Sequence, residues 1–149
     1  MSQDASGIDL ETSLGYLLKE ASSALRSAME AVLRPLGMTI THYSALELLA
    51  QRPGLSSSDL ARGAFVSRQS MNVLLQAMER DGLVERPEQA TVGRVLPTEL
   101  TPAGRRKLAV ASAAVKGVED RMKSTLDAAE QRQLRALLAR CVASLGPTG

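Results

Sequence analysis

The stretch from Ser56 to Gly104, SSSDLARGAFVSRQSMNVLLQAMERDGLVERPEQATVGRVLPTELTPAG, constrains the fold of this chain more than any other. Ser56 or Ser57 can cap a short helix that closes around Gly63, with Asp59 in its first turn favouring the helix dipole. Ser67 can cap a second helix running from Arg68 to about Asp81. Its apolar residues Met71, Leu74, Leu75 and Met78 recur at i, i+3, i+4 and i+7. Gly82 suits the position just past its last turn. The β-prone runs LVER and GRVLPTEL follow, joined by the polar tip PEQATV. Helix, tight turn, helix, hairpin is the order of a winged helix-turn-helix, whose geometry presents one helix to a DNA major groove.

The flanks read as helices too. Residues 1 to about 9 form a polar lead-in, expected to be disordered. From Glu11 to Arg34, Leu14, Leu17, Leu18, Ala21, Leu25, Met29, Val32 and Leu33 make one helical stripe, broken by Pro35 and Gly37. Thr41 can cap a helix with Tyr43, Leu46 and Leu49 facing inward. Thr101 caps a long helix with Pro102 in its first turn, predicted to reach Leu126 with Leu108, Val115, Val118 and Met122 on one side. Asp127 and Glu130 have capping-box spacing before a last stripe of Leu134, Leu137, Leu138, Cys141, Val142 and Leu145. These end helices carry more apolar surface than one small winged module can cover, which implies a two-fold homodimer. The expected fold is mainly α with a small β-hairpin wing. One domain, 1–149, divides into a dimerisation region (10–36 and 102–146) and a DNA-binding module (38–101).

Composition narrows the function. Aromatics are only 2% of the 149 residues against 44% apolar overall, so the core must be Leu, Ala, Val and Met, which favours packed helices. No apolar run approaches a membrane span and the N-terminus lacks an apolar signal core, so a cytoplasmic protein without membrane contact is expected. The single Cys and single His exclude an intrachain disulfide framework and the usual structural zinc site. No nucleophile–base–orienter set or Gly-rich phosphate loop is present, so neither enzymatic activity nor a cofactor is expected. Net charge is only +2, with nine Lys/Arg against six Asp/Glu between Arg52 and Lys107, the more basic part of the chain.

Opposite the apolar face of the Arg68–Asp81 helix, Arg68, Gln69, Asn72 and Gln76 supply the donors and acceptors that base edges require: Arg for guanine, Gln or Asn for adenine. Residues near the start of such a helix reach deepest, which favours Arg68, Gln69 and Asn72 for base readout, with Ser67 and Ser70 near phosphates. Arg94, after Gly93 near the hairpin tip, is placed to enter the adjacent minor groove. Ser56, Ser57 and Ser58 at a helix start, together with Arg62 and Arg86, are further phosphate candidates.

These residues resemble the MarR (multiple antibiotic resistance regulator) family. MTITHYSALELL is similar to its second-helix pattern, with His42 where Gln is common. SDLARGAFVSRQSMNVLLQAMERDGLVER is similar to its helix-turn-helix, and ELTPAGRRKL to the opening of its long dimerisation helix. The resemblance implies a dimeric factor on a near-palindromic duplex, commonly a repressor relieved by a phenolic or other lipophilic small molecule or by thiol oxidation. It implies base contacts from Ser67, Arg68, Gln69, Ser70 and Asn72 and a minor-groove Arg at Arg94. Val92 and Val73 occupy positions where the family often carries an Asp–Arg pair. Loss of that pair predicts a mobile wing tip over residues 87–93.

Effector response has two candidate centres. His42, a polar cap at its helix start, lies near where relatives place a ligand pocket, and Tyr16 is a candidate to approach it. Cys141 is read as a buried small hydrophobe, with thiol-redox sensing as the alternative. A winged helix used only for protein–protein contact is the competing class, and it predicts no salt-dependent binding to double-stranded DNA.

Overall fold

The computed structural model describes residues 7–86 and 97–146. Ser13 caps the first helix, α1 (Leu14–Leu33), by accepting the Tyr16 N–H, so α1 starts three residues later than the stripe alone predicts. A single 3-10 turn, Arg34–Leu36, follows. Helix α2 (Ile40–Gln51) is capped by Thr39 rather than Thr41: Thr39 is extended and its Oγ1 accepts the His42 N–H at 3.1 Å, while Thr41 is already helical.

Ser56 caps α3 (Ser57–Ala64) in a reciprocal capping box with Asp59. The Ser56 hydrogen bonds to Asp59 hold its carboxyl below the usual range. Helix α3 ends on Phe65, which adopts the left-handed conformation (φ 60°). The Phe65 N–H donates to Arg62 O and the Val66 N–H to Ala61 O. This is the terminal pattern usually built on glycine, here carrying an aromatic that is 80% exposed. Ser67 caps α4 (Arg68–Arg80). At its end Gly82 takes φ 76°, with Gly82 N–H donating to Glu79 O and Leu83 N–H to Met78 O.

Strands β1 (Val84–Glu85) and β2 (Glu99–Leu100) pair antiparallel, Val84 opposite Leu100. The runs read as hairpin strands thus contribute two residues each among the described residues. Helix α5 (Pro102–Met122) stops four residues before the predicted Leu126. Its last turn closes through Lys123 N–H to Glu119 O and Ser124 Oγ to Arg121 O. The Asp127–Glu130 capping box then opens α6 (Ala128–Leu145).

The core centres on the helix-turn-helix and draws in the helix ends on either side of it. Leu33, Leu46, Leu60, Met71, Leu75, Met78 and Val84 are all but inaccessible, joined by Ala45, Leu100, Leu108 and Ala111. It is assembled from the end of α1, from α2, α3, α4 and both strands, and from the first half of α5. No residue of α6 is buried, and Leu14 and Leu17 at the start of α1 are exposed as well. The expectation that Cys141 is buried therefore fails within one chain: it is exposed, because its stripe has nothing of the same chain to lie on.

Candidate nucleic-acid interface

Helix α4 owes its orientation to its apolar residues. Met71, Leu75 and Met78 are fully buried and Leu74 is partly so, which seats the helix on α3 and the core. At about 100° per residue, the direction opposite the centre of the Met71–Leu74–Leu75–Met78 face belongs to Gln69, Val73 and Gln76, with Asn72 on the flank. Burial follows that assignment: Gln69, Val73 and Gln76 are exposed and Asn72 is intermediate.

Arg68 does not share this face, contrary to the sequence expectation. It precedes Met71 by three residues and Leu75 by seven, so it stands above the buried side. From there it reaches back to α3, where its Nε donates to Ser58 Oγ at 2.8 Å. With Arg62, Ser67, Ala61 and Val66, these two residues line a shallow groove of about 330 Å³ between the starts of α3 and α4. Ser67 Oγ accepts the Ser70 N–H and donates its own proton to Ser70 Oγ at 2.9 Å. The Ser70 hydroxyl proton remains available at the helix start, where the dipole favours an anion. Ser57 is the first residue of α3 and is half-buried.

The two other arginine candidates among the described residues also have partners within the chain. Arg62 pairs with Asp59 one turn away. Arg86 Nε donates to Glu79 Oε2 at 3.2 Å, tying the end of β1 to α4, and its side chain is only 22% exposed. Arg94 and Val92 lie outside the described residues, as does the tip over residues 87–93.

The effector candidates do not meet in one chain. Tyr16 precedes Leu33 by 17 residues, so about 25 Å of α1 separates it from the end at which α2 and His42 begin. Nor is His42 the cap: its backbone is what Thr39 caps, and its Nε2 is buried without a hydrogen-bond partner among the described residues. Burial, followed by the Lys107 charge, lowers its pKa, with Asp81 opposing.

A polar cluster that sequence reading passed over joins α2 to α5. Glu47 accepts from Tyr43 Oη (2.7 Å), Ser112 Oγ (2.5 Å) and Gln51 Nε2 (2.7 Å). Burial alone would raise the Glu47 pKa, but the three hydrogen bonds outweigh it and the net shift is downward. Burial and the bond to Glu47 push Tyr43 up to about 12. The i, i+4 spacing of Tyr43, Glu47 and Gln51 was visible in the sequence, whereas Ser112, 65 residues away, was not.

A second tie holds the far end of α4. Thr101 Oγ1 donates to Gly82 O at 2.6 Å while accepting the Gly104 N–H, and the Thr101 N–H donates to Leu83 O. One hydroxyl thus caps α5 and fixes the end of α4 against it. Gly104 completes the contact, because a Cβ there would lie 2.1 Å from Leu83 O.

Comparison with known proteins agrees with this architecture. The MarR family model matches residues 36–95. The HTH-type transcriptional repressor Rv2887 of Mycobacterium tuberculosis is 40% identical over 134 residues, spanning 90% of this chain and 96% of that protein. The crystal structure of Rv2887 with salicylic acid has a TM-score of 0.72 at 40% identity, covering 88% of this chain and 97% of that one. Its complex with DNA gives 0.71 at 38%, covering 87% and 98%. A repressor so similar over nearly its whole length establishes the kinship: this chain belongs to the MarR family.

Proposed function

We propose that the protein is a cytoplasmic, non-catalytic, ligand-responsive transcriptional repressor that binds a near-palindromic duplex as a homodimer. One observation carries this reading. Helix α4 is anchored by three fully buried residues and turns Gln69, Asn72 and Gln76 away from the core, while its capped start lies beside the Ser58–Arg62–Arg68 groove. We assign Gln69, Asn72 and Gln76 to base edges and Arg68, Ser57, Ser67 and Ser70 to the adjoining backbone. Arg94 is assigned to the minor groove. Arg86, held by Glu79, supports β1 and reaches phosphate only by leaving that pair.

Residues 38–101 form the DNA-binding module of this proposal, and 10–36 with 102–146 the dimerisation region. The exposed Leu134, Leu137, Leu138 and Val142 of α6 and Leu14 and Leu17 of α1 support that division. The salicylic acid complex of Rv2887 supports a small aromatic acid as the class of effector. His42, with its unpartnered Nε2, is the candidate polar contact within the chain, and Tyr16 could join it only from a partner subunit.

Selection of bound duplexes from a random pool tests the reading. The expected result is enrichment of a palindrome whose affinity falls steeply with salt, as release of counterions from neutralised phosphates requires. A pool that yields no enriched sequence would leave the winged helix as a protein-binding module.

A further inference from the structure

The reading face of α4 carries an aliphatic residue at its centre. Val73 lies four residues after Gln69 and three before Gln76, about 160° from Leu75, and the residue is 63% exposed. Among the described residues it is left largely uncovered. A β-branched residue has lower helix propensity than alanine, and an exposed one gains little from burial on folding. It is flanked by side chains that donate and accept hydrogen bonds, whereas it can do neither.

On the reading proposed above, this face is pressed against base edges, and water is removed from Val73 when DNA seats. A polar edge opposite it would lose its water without gaining a partner, which disfavours that base. In the major groove the one apolar group on offer is the C5-methyl of thymine. We infer that Val73 is a specificity-determining residue that selects a T·A pair in each half-site by packing its methyl groups against the thymine methyl.

The test uses the full-length protein and the palindrome enriched from the random pool. Thymines are replaced by deoxyuridine one symmetry-related pair at a time, which deletes the methyl and leaves every hydrogen-bonding group in place. Affinities are measured by fluorescence anisotropy at fixed salt. Burial of one methyl corresponds to about fourfold in affinity, so a pair of half-sites should show about a fifteenfold loss at a single symmetric position. Val73→Ala should bind the thymine and deoxyuridine forms of that position equally, while keeping at least the wild-type melting temperature, because the side chain is exposed and alanine favours the helix. Equal wild-type affinity for every deoxyuridine duplex overturns the assignment. So does a Val73→Ala protein that keeps the wild-type sensitivity. Either outcome leaves the DNA-binding reading standing, whereas failure to enrich any duplex removes both.

Discussion

Glu47 and His42 lie five residues apart on α2, and burial acts on them with opposite outcomes. Three hydrogen bonds compensate the Glu47 carboxylate, whose pKa falls; at His42, whose Nε2 has no hydrogen-bond partner among the described residues, burial and the Lys107 charge disfavour an imidazolium and outweigh the opposing charge of Asp81. The fold therefore prefers neutral His42. The stability that this preference contributes is fully present above pH 6.5, the unperturbed value, and is lost as pH falls through the depressed folded-state value. The urea midpoint of the wild type should fall as pH drops below 6.5, and His42→Gln should flatten the curve in that window. The Glu47 contribution is lost only below pH 4.5, so the two are separable. A wild-type midpoint that stays level between pH 7 and pH 5 contradicts this account of His42.

At the scale of elements, the contact between the α4–β1 turn and α5 depends on the absence of a side chain at Gly104. Leu83 O occupies the space a Cβ would need, and backbone cannot swing aside as a side-chain tip can. Gly104→Ala should cost about 3 kcal/mol of stability, measured by urea unfolding. The LTPAG sequence thus has a physical reading: a buried Leu100, a Thr101 cap, Pro102 in the first turn and a glycine at close approach. Elements whose ends rest on such local chemistry were legible in the sequence, as the Ser67 cap and the Asp127–Glu130 box illustrate. Two threonines with equal capping chemistry, Thr39 and Thr41, could not be separated by composition, since the choice depends on where Met38 anchors the preceding turn. The displacement of Arg68 from the reading face was legible in principle from its spacing to Met71 and Leu75. Its bond to Ser58, by contrast, depends on how α3 and α4 cross.

For the whole molecule, the core accounts for the central module and leaves α6 uncovered. Leu137 and Leu138 are 45% and 38% exposed, and among the described residues neither belongs to the core. Replacing both with Glu should leave helicity by circular dichroism unchanged, yield a monomer by sedimentation, and reduce duplex affinity by about a hundredfold or more, since a monomer engages only one half-site. A double variant that remains dimeric would remove α6 from the proposed interface.

The Thr101 hydroxyl makes the trailing end of α4 a fulcrum borne on the first turn of α5. Helix α4 has 13 residues and is therefore about 20 Å long. A tilt of about 10° transmitted through that pivot carries Gln69 and the leading turn sideways by about 3.4 Å, the rise of one base pair. A small turn of the α5 shaft is then enough to move the leading turn out of register with its bases, with no unfolding and no bond broken inside the module.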